Sequence, residues 1–127
     1  MELYRIDSIR TNNFSDPDMM SKIGGMWEKA YQKFDLKNET MFAIYDDYVS
    51  DYKGDYRLSL YTTKILDSEK IELDLEGMTT YHCDSREDLP KVWKEIWEDE
   101  EQNKLKRSYL KDLERYHADG SVTLYLS

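Results

Sequence analysis

The stretch Arg107 to Tyr116, RSYLKDLERY, places one carboxylate, Glu114, among aromatic side chains just before an apolar closing segment, SVTLYLS. A carboxylate walled by aromatic rings suits an organic cation, because the ring faces attract positive charge and the acid supplies the counter-charge. Burying such an acid without a partner is costly, so burial raises its pKa and a bound cation reverses the shift. The plain alternative is a solvated acid on a helix beside Lys111 and Arg115. The wider inventory points to aromatic chemistry. The chain carries 11 tyrosines against 3 phenylalanines, so much of its apolar complement bears a hydroxyl that needs a partner when buried.

Other chemistries find little support. With 27 acidic against 18 basic side chains and a net charge of -9, the chain repels phosphate backbones, and direct binding of nucleic acid is not expected. Mean hydropathy is -0.86, and no apolar run approaches the roughly 20 residues a membrane span needs. The lone Cys83 cannot form an internal disulfide, and MELYRIDSIR is charged where a signal peptide is apolar. A soluble, cytoplasmic protein of one domain, residues 1–127, is expected. DDYVSDYKGD lacks the alternating ligands and terminal glutamate of a calcium loop. His82, Cys83 and Asp84 alternate along a strand and His117 is isolated, so no metal is expected. No glycine-rich phosphate loop or nucleophile elbow occurs, and no cofactor is expected.

The elements that must hold Glu114 follow from periodicity. Leu3 to Arg10 alternates as a strand, and NNFSDPDMM reads as a helix start with Ser15 as cap and Pro17 in the first turn. Met20, Ile23, Trp27, Ala30 or Tyr31, and Phe34 then mark one helical face, in which Gly24 and Gly25 leave room for a close neighbour. MFAIY and YRLSLYTT read as strands around the polar loop DDYVSDYKGD. One or two further strands surround Gly77, and SREDLP opens a second helix carrying Leu89, Val92, Trp93, Ile96 and Trp97. Its end bears the acids Glu98 to Glu101, which oppose the helix dipole. A short helical or irregular stretch through Tyr116 precedes a last strand, Val122 to Leu126.

The two halves resemble each other. Ser15 and Ser85 are each followed by an acid three residues on and by a tryptophan, Trp27 and Trp97. Asp35-Leu36 resembles Asp112-Leu113, and AIY at Ala43 resembles TLY at Thr123. The offsets, about 70 residues at the caps and about 80 at the strands, suggest a degenerate repeat of a β-α-β-β unit. Two such units form an α+β fold, an antiparallel sheet with both helices on one face and a ligand cleft on the other. Phe42, Ile44, Leu58, Leu60, Val122, Leu124 and Leu126 define the aliphatic phase, which sends Tyr45, Tyr61 and Tyr125, with Tyr81, to the opposite face. Either those tyrosines line the cleft or they merely tolerate partial exposure in strands.

FDLKNETMFAIYDDYVSDYKGDY, VWKEIW and the closing RSYLKDLERYHADGSVTLYLS resemble the GyrI-like small-molecule-binding domain, also called the AraC-type effector-binding domain, over nearly the whole chain. The most specific match is the acid-apolar-acid-x-Tyr run Asp112, Leu113, Glu114 and Tyr116, with Leu113 where the family often has phenylalanine. The resemblance implies a pseudo-twofold fold with a central aromatic cleft and a glutamate near its floor, which maps to Glu114. It implies Tyr45, Tyr56, Trp97 and Tyr125 as wall residues, with Tyr61, Tyr81 and Trp93 in reserve. Relatives are often fused to a DNA-binding domain. This chain resembles a stand-alone version that would sequester a small aromatic or cationic ligand or report it to a transcriptional regulator. Two alternatives come with the resemblance. One is hydrolysis of cyclopropane-containing DNA-alkylating compounds, with Glu114 as base beside a cleft aromatic. The other is contact with a protein partner such as DNA gyrase through the acidic segments EIWEDEE and DDYVSDYKGD.

Overall fold

A computed structural model describes all 127 residues, Met1–Ser127. The elements run β1 (Glu2–Thr11), α1 (Met19–Lys33), β2 (Met41–Asp46), β3 (Tyr56–Thr62), β4 (Lys70–Glu72), β5 (Thr79–Cys83), α2 (Leu89–Glu101), β6 (Lys111–Tyr116) and β7 (Val122–Leu126). The strands form one seven-stranded sheet in the order β4-β1-β3-β2-β6-β7-β5, and every pairing is antiparallel. The expected α+β class and β-α-β-β duplication are both present. One unit is β1-α1-β2-β3, the other β5-α2-β6-β7, and their sheet halves β1-β3-β2 and β5-β7-β6 meet where β2 pairs with β6. β4 is an extra edge strand from the connection between units.

Both helices lie on one face, as expected. On that face Met26 and Ala30 of α1 pack with Ala43, Leu58 and Leu60, and Val92 and Ile96 of α2 pack with Val122, Leu124 and Leu126. Each buried leucine of this kind contributes about 1.5–3 kcal/mol relative to exposure. The opposite face is not a cleft. Leu3, Phe42, Ile44, Tyr61 and Leu113 are roofed there by Leu73, with Ile71, Leu75, Met78 and Tyr125 packed against them. The roofing segment is tied down where the Leu73 N–H donates to the Met1 carbonyl at 2.7 Å.

The expected assignment of faces therefore fails for β2, for a simple reason. Met41, Phe42, Ala43 and Ile44 are all buried, and a strand covered on both sides carries no alternation to mark its faces. The register settles it. Ala43 faces Leu60 and Tyr45 faces Leu58, whereas Phe42 faces Tyr61. Tyr45 thus joins the helix side, as does Tyr81 opposite Leu124, while Tyr61 and Tyr125 sit in the roofed layer.

Three local expectations also change. Ser15 does not cap α1: residues before Met19 form turns, and Asp18 is the N-cap, just as Asp88 is the N-cap of α2 after the 3-10 turn Arg86–Asp88. Asp16 organises the turn that leads into α1, accepting from the Asp18 N–H and Thr11 Oγ1 and pairing with Lys22 Nζ at 2.6 Å. Nothing lies within 4 Å of a Cβ built on Gly24 or Gly25, so no close neighbour explains them. Finally, Lys111–Tyr116 is strand β6, not a helical or irregular stretch. The repeat match at the strands was consequently misaligned, because β2 corresponds in sheet position to β6 and not to β7.

Candidate ligand-binding site

Glu114 reaches the centre of the helix face because β6 alternates. Asp112, Glu114 and Tyr116 share one side, and Leu113 points to the roofed layer. Across the β2–β6 seam Glu114 directly faces Ala43, whose small side chain fills little of the space above it. Over this seam lies a cavity of about 320 Å3, within the range of small-molecule sites. Its walls reflect the duplication: Met19 and Leu89, Ile23 and Trp93, and Trp27 and Trp97 line it in corresponding pairs, one member from each helix.

The carboxylate is 2% exposed. Its Oε2 accepts from Trp93 Nε1 at 2.6 Å and Tyr45 Oη at 2.9 Å, and its Oε1 accepts from Tyr116 Oη at 2.5 Å. Glu114 forms no ion pair, in contrast to the equally buried Asp112, which holds Arg107 Nη2 at 2.7 Å. Desolvation pushes the Glu114 pKa up. The hydrogen bonds from Tyr116, Trp93 and Tyr45, and the more distant charge of Arg86, restrain that rise. Burial and the neighbouring carboxylate in turn hold the Tyr45 and Tyr116 hydroxyls well above the ordinary tyrosine range, so both stay protonated donors.

The aromatic wall is continuous. Trp93 stands edge-on to Tyr45 at 5.4 Å, Tyr45 lies 5.3 Å from Tyr56, and Tyr48 follows at 6.2 Å. At one side Tyr52 stacks on Trp97 at 5.1 Å and 10°, with Phe14 5.6 Å from Trp97. Tyr52 donates to Glu101, an interaction that, after burial, pushes its own pKa up to about 12. Arg107 also lines the cavity, with its guanidinium 4.3 Å from the Tyr109 ring. Burial opposes the Arg107 charge, but the Asp112 carboxylate outweighs it and its pKa is raised.

Of the residues expected at the site, Glu114, Tyr45, Tyr56, Trp93 and Trp97 are brought together around the cavity. Tyr61 and Tyr125 lie on the roofed face. Tyr81 packs beside α2 outside the cavity and donates to Asp99 at 2.7 Å. Sequence reasoning missed Trp27, Tyr48, Tyr116 and Arg107 as wall residues. A signal existed for three of them. Trp27 is the repeat partner of Trp97, Tyr48 lies in the tyrosine-rich loop, and Tyr116 shares the face of Glu114 once β6 is recognised as a strand. No group of three or more His, Cys, Asp or Glu side chains is placed to hold a metal ion, and no helix is long and apolar enough to cross a membrane.

No protein-family model matches the chain, and no curated protein matches it either. Among solved structures, it is similar to an integron cassette protein from the mobile metagenome of Vibrio cholerae, with a TM-score of 0.79 at 22% identity over 100% of this chain and 89% of that one. At that identity the likeness establishes a shared fold: the seven-stranded sheet and its two helices are an arrangement that a mobile-element protein also adopts.

Proposed function

We propose that this protein is a binding module for small aromatic organic cations, with Glu114 as the counter-charge. The observation that carries the reading is a fully buried carboxylate with no cationic partner, set in the floor of an aromatic cavity. An unpaired buried carboxylate is costly. A cation seated between Trp93, Tyr45 and Tyr116 would relieve that cost while its flat body lies against the rings. The likeness of the closing segment to GyrI-like domains supports the same assignment, in which the ligand is sequestered or reported to a regulator. The buried free thiol of Cys83 suits a reducing cytoplasm.

Binding is favoured over hydrolysis by the same geometry. Three side-chain donors already occupy the two carboxylate oxygens of Glu114, which leaves little acceptor capacity to orient an attacking water. The acidic run of α2 is likewise a weak candidate for mimicking nucleic acid toward a gyrase-like partner, because Asp99, Glu100 and Glu101 each accept a tyrosine hydroxyl from Tyr81, Tyr109 and Tyr52.

The test is a thermal-shift screen of flat cationic, neutral and anionic aromatics against the wild type and Glu114→Gln. Ligand at about 100 times its Kd stabilises the native state by about 2.7 kcal/mol. Stabilisation confined to cations, and lost in the variant, is expected. Equal losses for cationic and neutral ligands would show that charge is not what Glu114 supplies.

A further inference from the structure

Four of the arginines are ion-paired: Arg5 with Glu69, Arg10 with Asp47, Arg57 with Asp46 and Arg107 with Asp112. Arg115 and Arg86 are not; Arg115 lies over the Phe42 ring, and Arg86 is unpaired although Asp84, Glu87 and Asp88 are its near neighbours in the chain. Its guanidinium instead lies 4.7 Å from the Trp27 ring and 4.6 Å from the Tyr116 ring. Those rings meet edge to face, 4.8 Å apart at 73°, so the guanidinium sits in the corner between them. Both rings line the cavity and Tyr116 is hydrogen-bonded to Glu114, whereas Arg86 is not a lining residue, so its guanidinium covers the corner from outside the cavity.

This corner shares Trp27 and Tyr116 with the walls around the buried carboxylate, and a cation of the protein's own is docked against it. Its hold is slight. The side chain is exposed and makes no hydrogen bond or ion pair, which leaves only the two ring contacts to hold it. We infer that Arg86 is an internal stand-in for the ligand's cationic group, occupying the Trp27–Tyr116 corner and yielding it to an incoming aromatic cation. The inference rests on the cation reading of Glu114 and adds a selection rule. Small ammonium ions that stack poorly do not displace the guanidinium, whereas flat cations that cover more ring surface do. The displaced state is the binding-competent one, so apparent affinity is reduced by the fraction of molecules in which Arg86 holds the corner.

The experiment compares 2-naphthyltrimethylammonium with its uncharged isostere 2-tert-butylnaphthalene by calorimetry, on the wild type, Arg86→Gln, Arg86→Lys and Glu114→Gln. Arg86→Gln is expected to bind the naphthyl cation about tenfold tighter and the isostere within about twofold of wild type, and Arg86→Lys, which keeps the charge but stacks poorly, also binds the cation tighter than wild type. The wild-type Arg86 Nε–Hε NMR signal, displaced by ring currents, is expected to move to the position of a solvated arginine at saturation with the cation. A signal that stays ring-shifted at saturation, or an Arg86→Gln protein that binds the cation no tighter, would overturn the stand-in role. It would leave intact the dependence of binding on Glu114. Failure of the cation to bind wild type and Arg86→Gln alike would overturn both.

Discussion

Asp112 and Glu114 share one face of β6, both buried to 2% exposure or less, and differ in how their charge is met. Asp112 has Arg107, the Tyr48 hydroxyl at 2.6 Å and the Ser127 N–H at 3.0 Å, so it is a finished structural ion pair. Glu114 has hydrogen-bond donors and no opposite charge in contact. A definite pH dependence follows. Because the folded pKa of Glu114 is raised above its ordinary value of 4.5, the native state binds more protons than the unfolded state between those two values. Stability is then full below about pH 4.5 and falls as pH rises through the folded value. Asp16 acts in the opposite sense in a separate window. Its carboxyl is lowered from 3.8 to about 2 by hydrogen bonds from Lys22 and Thr11, so its contribution disappears as pH falls through about 2. Cation affinity should move against stability, rising with pH as Glu114 ionises. Melting curves and titrations from pH 4 upward check this: wild type should lose stability relative to Glu114→Gln while it gains affinity for cations. A constant difference in melting temperature across the range would mean that Glu114 stays ionised throughout.

At the scale of elements, the helices were legible and the faces of the strands were not. Both helices carry apolar residues at three-to-four spacing with an aspartate at the N-cap, a pattern that survives any detail of tertiary packing. β6 was obscured because a strand whose inward face carries Asp112 and Glu114 lacks apolar alternation, and burial of acids is decided by partners distant in sequence, such as Trp93 and Tyr45. β2 was obscured for the converse reason, since it is apolar on both faces. Glu114, Tyr45, Tyr56, Trp93 and Trp97 could be found from residue type and likeness. Tyr61 and Tyr125 could not be dismissed until the segment carrying Leu73 was seen to roof them. α1 also contains its own test. Gly24 and Gly25 lie mid-helix with open space where a Cβ would stand, so Gly24→Ala should raise stability by about 0.5–1 kcal/mol through helix propensity. Denaturant unfolding would report this as a higher midpoint at unchanged slope. A loss of stability would reveal a backbone requirement at this turn of α1.

For the whole molecule, duplication explains why the cavity lies where it does. Two β-α-β-β units joined through β2 and β6 bring both helices over the same seam. Each helix contributes matching positions to the walls, and Glu114 enters from only one unit, which makes a near-symmetric cavity polar at one point of its floor. Around this site the protein carries a net charge of -9, and a field of that sign attracts cations to the cleft while it strains the compact state by self-repulsion. Added salt should therefore act in two opposite directions. Screening lengths fall from roughly 10 Å at 0.1 M to about 3 Å at 1 M, so raising salt through that range should increase the melting temperature and weaken an aromatic cation severalfold. Its uncharged isostere, which does not feel the field, should bind with unchanged or slightly greater affinity. If cation affinity instead stays level while the melting temperature rises, the attraction comes from Glu114 at contact distance alone. The surface acids, including those that accept hydroxyls from Tyr52, Tyr81 and Tyr109, would then serve structure and not ligand capture.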